Sequence, residues 1–145
     1  MDHYSPESFA LTHSVGFAIN KARNLLVGEL DAALKDLGIT TQQMGILLSM
    51  RGGETQTPFE LSKLLVIDTG LMTRMLDKLE AKGLLQRSRS LEDRRVVNLT
   101  LTRDGKKVAD ELPHIVPEVL NQRLRKFTKS EFNELRRLLN KFLEE

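Results

Sequence analysis

The chain has 145 residues, with 22 Lys+Arg against 20 Asp+Glu, 40% hydrophobic and 29% charged residues, and no cysteine. That composition suits a single globular domain and excludes a disordered chain, a membrane-spanning segment, a disulfide scaffold, a Cys-ligated zinc site and any thiol nucleophile or redox switch. The net charge is only +2, but Lys82 to Lys107 holds eight basic against three acidic side chains, the footprint expected of an anionic partner.

Ser5 as a cap and Pro6 at the first helical position predict a long helix over 6–37, closed by Gly38. Leu11, Val15, Ala18, Ile19, Ala22, Leu26, Leu30 and Leu34 fall on one face of it. At 1.5 Å per residue it would reach about 45–50 Å, too long for a small core to cover. A second face carries Phe9, His13, Phe17, Asn20 and Asn24. Thr40 with Gln43, and Thr57-Pro58 with Glu60, are capping boxes that start the next two helices. The second of these is short, from Pro58 to about Leu65. Asp68 caps a fourth helix over 69–82, which Gly83 ends. Met72, Met75, Leu76 and Leu79 form its apolar side, opposite Gly70, Thr73, Arg74, Asp77 and Lys78.

The period then changes to two. Strands are expected over 84–90 and 96–101, joined by the charged tip Leu91-Glu92-Asp93-Arg94-Arg95. Thr102 caps a helix running to about Phe127, with a kink or break expected at Pro113 and Pro117. Thr128 with Glu131 opens a last amphipathic helix bearing Phe132, Leu135, Leu138, Leu139, Phe142 and Leu143. The fold class is mainly α with a small β-hairpin.

A short helix, a tight turn and a second helix with a small polar face describe a helix-turn-helix, and the hairpin that follows makes it winged. Such a second helix enters a major groove by its N-terminal half. Thr73 suits a thymine methyl or a phosphate, and Arg74 suits the guanine edge. Thr69 and Gly70 sit where backbone approaches phosphate, and Lys78 lies one turn further along. Asp77 reads as an orienter of nearby arginines. On the hairpin, Arg87 belongs to the same candidate set, while Arg94 and Arg95 stand at a tip able to enter a minor groove.

Residues 61–107 closely resemble the DNA-binding lobe of MarR-family transcription regulators. The marks are TRMLDKLEAKGLL in the recognition helix and DRRVVNLTLTRDG across the hairpin, which holds the family's D-x-R, five residues, then L-T pattern at Asp93, Arg95, Leu101 and Thr102. The resemblance covers nearly the whole chain. It implies a homodimeric repressor of a pseudo-palindromic operator, released by a small aromatic acid or phenolic ligand, with double-stranded DNA as its partner. It also implies Arg95 as the minor-groove residue with Asp93 its support, and Thr73 and Arg74 as recognition-helix contacts. The winged lobe is expected over 53–107 and the dimerisation region over 5–37 and 108–145. A thiol-sensing member is excluded by the absence of cysteine.

His13, Phe17, Met44 and Leu48 are the candidate ligand contacts, with His13 better explained as a satisfied interface or core histidine. No cofactor and no metal are expected, since His3, His13 and His114 lack ligand spacing. No P-loop, GxGxxG, GxSxG or HExxH is present, so an enzyme is not expected. The chain is expected in the cytoplasm, since MDHYSPES lacks the basic start and apolar core of a secretory signal. The competing reading of the winged lobe is a protein-protein module without specific DNA binding.

Overall fold

A computed structural model describes residues 1–53 and 56–144. Among these, the helices are α1 (Val15–Leu34), α2 (Thr41–Met50), α3 (Pro58–Leu65), α4 (Thr69–Ala81), α5 (Arg103–Leu124) and α6 (Lys129–Leu143). One antiparallel hairpin, β1 (Leu85–Arg89) and β2 (Val97–Leu101), lies between α4 and α5, in register Leu85 to Leu101 and Arg87 to Leu99.

The threonine and aspartate caps set most boundaries. Thr40, Thr57 and Thr128 each form a complete capping box, and Asp68 and Thr102 accept from the third residue of their helices. Gly38 and Gly83 close the first hairpin of helices and α4 in the left-handed region, at φ of 70° and 74°.

Two expectations are corrected. The helix predicted over 6–37 begins only at Val15, with a 3-10 turn at Leu11–His13 before it and another at Lys35–Leu37 after it. Ser14 is the true cap: its hydroxyl accepts from the Phe17 N–H and donates to the Leu11 carbonyl. The Tyr4 hydroxyl takes the Val15 N–H at 2.8 Å, satisfying another orphan donor of the helix start. Ser5 instead accepts from the Ser8 N–H in a local turn. Pro113 and Pro117 do not break α5, which runs through both. Both prolines are exposed, while the carbonyl that Pro113 leaves without a helical N–H belongs to the buried Ala109.

The core joins Leu30 and Leu34 of α1, Ile46, Leu47 and Met50 of α2, Leu61 of α3, and Met72, Met75, Leu76 and Leu79 of α4. Leu85, Leu99, Ala109 and Leu112 close it from the hairpin and α5. Gln56 adds a rung of backbone pairing to Leu99, which extends the hairpin sheet toward α3. The N-terminal half of α1 and all of α6 contribute no buried residue.

Val66 caps α3 at φ 52° and ψ 54°, a left-handed conformation that a β-branched side chain disfavours. It is 88% exposed, so its side chain contributes no packing there. Val66→Gly is therefore expected to stabilise the fold by about 1 kcal/mol, the relief of strain outweighing the extra freedom of glycine when unfolded. Thermal unfolding should move up by about 3 °C; an unchanged or lower midpoint would contradict the strain.

Candidate nucleic-acid interface

Helix α4 is amphipathic in the expected sense. Met72, Met75, Leu76 and Leu79 are buried, while Thr69, Gly70, Thr73, Arg74, Asp77 and Lys78 are exposed together on the other side. Asp68 anchors the helix start by accepting from the Leu71 N–H at 3.0 Å. The Thr73 hydroxyl donates to the Thr69 carbonyl at 2.9 Å, which leaves its methyl free for an apolar contact. A β-carbon at Gly70 would stand 3.2 Å from the Asp68 carboxylate and 3.8 Å from an Arg74 guanidinium nitrogen. The close approach is to Asp68, so Gly70 leaves room for the capping carboxylate, while the Arg74 distance is ordinary contact.

The hairpin tip is organised by short-range hydrogen bonds. Ser90 accepts from the N–H groups of Glu92 and Asp93. Asp93 accepts from the Arg95 N–H at 3.0 Å, a side-chain turn closed two residues on. The same carboxylate receives the Arg95 guanidinium on both oxygens, at 3.1 and 3.2 Å. This pairing holds the Asp93 carboxyl below its ordinary pKa. The Arg95 side chain is nevertheless 91% exposed, so most of its donors remain open to a partner. Arg94 is exposed beside it, and its carbonyl accepts from Arg89 at 2.7 Å.

Arg87 behaves differently from the rest of the predicted set. Its guanidinium sits 2.7 Å from Asp77 and 3.0 Å from Glu80, both on α4. It raises no free charge toward a partner; it braces the hairpin against the recognition helix. The expectation that Asp77 orients an arginine fits this placement. Glu80 joins the same pair, and its carboxyl is held below its usual range by the hydrogen bond from Arg87. Sequence reasoning missed Glu80 and Arg89, although Glu80 lies three residues from Asp77, on the same helix face.

The four candidate ligand residues are not gathered into one cavity among the described residues. His13 is exposed in the first 3-10 turn. Phe17 lines a shallow depression on α1 with Asn20, Lys21, Asn24 and Leu25. Met44 and Leu48 pack on the core from α2. A larger groove of about 620 Å³ lies between α1 and α5, walled by Ala32, Ala33, Ile115 and Val119 with Glu29, Glu118 and Gln122 at its polar edge. Among the described residues no group of three His, Asp or Glu could hold a metal. Among the described residues no helix is long and apolar enough to cross a membrane.

The MarR family model matches residues 39–97, from just before α2 to the first residue of β2. The multiple antibiotic resistance protein MarR of Escherichia coli is 36% identical over 126 residues, covering 86% of this chain and 85% of that protein. The organic hydroperoxide resistance transcriptional regulator of Bacillus subtilis is 34% identical over 111 residues, covering 77% and 74%. A crystal structure of an E. coli MarR variant complexed with operator DNA superimposes with a TM-score of 0.83 at 32% identity, covering 90% of this chain and 94% of that one. The exposed recognition face, the Asp93–Arg95 hairpin tip and these likenesses agree: the chain belongs to the MarR family.

Proposed function

We propose that this protein is a homodimeric, sequence-specific DNA-binding repressor whose hold on a pseudo-palindromic operator is relieved by a small ligand. The observation that carries the reading is the joint display of α4 and the hairpin tip. Thr69, Gly70, Thr73, Arg74 and Lys78 share one exposed face, and the outstretched Arg95 lies at the end of the adjoining wing. A recognition helix in the major groove places that face against base edges and phosphates. Arg94 and Arg95 then reach the flanking minor groove, where a narrow groove favours an inserted guanidinium. Arg87 serves here as a brace for the hairpin rather than as a contact. The likeness to the E. coli protein, whose structure was determined with operator DNA, supports the same use of α4. The winged lobe corresponds to residues 53–107, and the reaction is binding, not catalysis.

Dimerisation supplies the second half-site. Helix α6 leaves Leu138, Leu139, Phe142 and Leu143 exposed at 48%, 42%, 62% and 73%, and Leu11 and Val15 are equally uncovered near the N-terminus. A second copy across a two-fold axis accounts for that uncovered stripe along residues 5–37 and 108–145. His13, Phe17, Met44 and Leu48, scattered in one protomer, would form an effector site only if a second copy completed it. In the α1–α5 groove Glu29 is already paired with Arg123 at 2.6 Å, so Glu118 and Gln122 are the polar groups at its edge open to a ligand.

The experiment is sedimentation of the wild-type chain and of Phe142→Asp at micromolar concentration, with DNA binding measured on the same samples. Wild type is expected to be a dimer. The buried aspartate should cost about 3 kcal/mol or more at the interface, giving a monomer that has lost tight operator binding. A wild-type monomer would overturn the dimeric reading.

A further inference from the structure

Lys82 belongs to the basic stretch that the composition marks as a DNA-facing patch, yet its exposed side chain turns its ammonium back onto the protein's own oxygens. It donates to the Gly38 carbonyl at 2.6 Å and to the Gln43 side-chain carbonyl at 2.8 Å, across 44 and 39 residues of sequence. Gly38 is the left-handed residue that ends the α1 region, and Gln43 is the buried member of the α2 capping box. The Gln43 oxygen that receives Lys82 also receives the Thr40 N–H at 3.1 Å, so both its lone pairs are taken. One residue further on, Asp31 of α1 accepts from the Thr41 N–H and hydroxyl, each at 2.7 Å. Those two bonds keep the Asp31 carboxyl below its ordinary pKa. A continuous polar path therefore runs from α1, through the first turn of α2, to the C-terminal end of the recognition helix.

The geometry points to Lys82 as a positioning residue that fixes the far end of α4 to the α1–α2 corner, so that the tilt of the recognition helix follows α1. This deepens the repressor reading and rests on it. The N-terminal end of α4 is free to meet DNA, and its C-terminal end is held by Lys82. A shift of α1 would carry Gly38, Gln43 and hence α4 with it. The spacing of two recognition helices across a dimer is set by such tilts, and a mismatch with the groove spacing costs specific binding but not general attraction to phosphate. The lysine at a helix C-terminus is also favoured by the helix dipole, so the tether has the right charge for its place.

The test compares wild type with Lys82→Met and Lys82→Arg as full chains, using a duplex selected by the wild type and a random duplex, each titrated across several salt concentrations. Lys82→Met keeps the length of the side chain and removes the donors. It is expected to weaken binding to the selected duplex by roughly tenfold, leave random-duplex affinity unchanged and leave the salt slope unchanged. Lys82→Arg, with donors for both oxygens, should recover most of the loss. A slope reduced by about 0.9 per protomer would make Lys82 a phosphate contact and overturn the proposal. Wild-type binding by Lys82→Met would overturn it as well, and so would an equal loss on both duplexes. Should the wild type select no duplex at all, the repressor reading itself fails, a result visible before any variant is made.

Discussion

Gly105→Ala is expected to cost about 3 kcal/mol or more and to lower the thermal midpoint by about 10 °C. Gly105 is buried in the first turn of α5, and a β-carbon there would stand 1.8 Å from the Leu84 carbonyl oxygen and 2.9 Å from its carbon. The obstacle is backbone, which no rotamer change can remove. That backbone is pinned from several sides: the Leu84 carbonyl accepts from the Thr102 N–H at 3.1 Å, and the Thr102 hydroxyl donates to the Gly83 carbonyl at 2.6 Å. Thr102 also caps α5 by accepting from the Gly105 N–H. Making room for one methyl group would thus part the α4–β1 corner from the start of α5 and loosen the wing with it. Gly28→Ala is the control. Gly28 lies in mid-helix on α1 with nothing within 4 Å of its β-carbon position, so alanine should add up to about 1 kcal/mol. Unfolding curves of the two variants check both signs, and a Gly105→Ala midpoint within a degree or two of wild type would show that the close approach is not rigid.

Arg74→Ala should produce the largest loss of specific DNA binding. A bidentate guanidinium on guanine discriminates by about 1–3 kcal/mol per contact, and a dimer loses two such contacts at once. Affinity for the selected duplex should fall by about a hundredfold, with relaxed preference at the base Arg74 meets. Arg95→Ala should behave differently, because the hairpin tip reads groove width and potential more than base edges. Its binding should weaken on all sequences, and the salt slope should drop by about one per protomer. Titrations of both variants against matched and mismatched duplexes separate the two roles. Equal discrimination by Arg74→Ala and wild type would remove Arg74 from base readout.

Local signals in the sequence were strong wherever a side chain speaks to backbone three residues away. Thr40, Thr57, Asp68, Thr102 and Thr128 each fixed a helix start, and the period-two pattern placed the hairpin within a residue. The start of α1 was not legible, because Ser5-Pro6 suits a turn as well as a cap. The choice in favour of Ser14 depends on Tyr4 reaching Val15 across eleven residues. The prolines of α5 misled for a related reason: the helix is held by packing of Ala109 and Leu112 against the core, which outweighs the missing N–H groups on its exposed side. At the interface, the Asp93–Arg95 pair was implied by the family resemblance, whereas the exposed face of α4 could be read from spacing. That Arg87 is spent on Asp77 and Glu80, and Lys82 on Gly38 and Gln43, could not, since ion pairs between elements depend on how those elements cross.

Selection of duplexes from a random pool by the purified protein at physiological salt tests the central claim most directly. A dimer presenting α4 and Arg95 twice should enrich one inverted repeat, with half-site centres about 10 base pairs apart. A retained pool that stays random, with binding that fades as salt rises, would leave only attraction to phosphate. That result would contradict sequence-specific repression and assign the winged lobe to a protein partner instead.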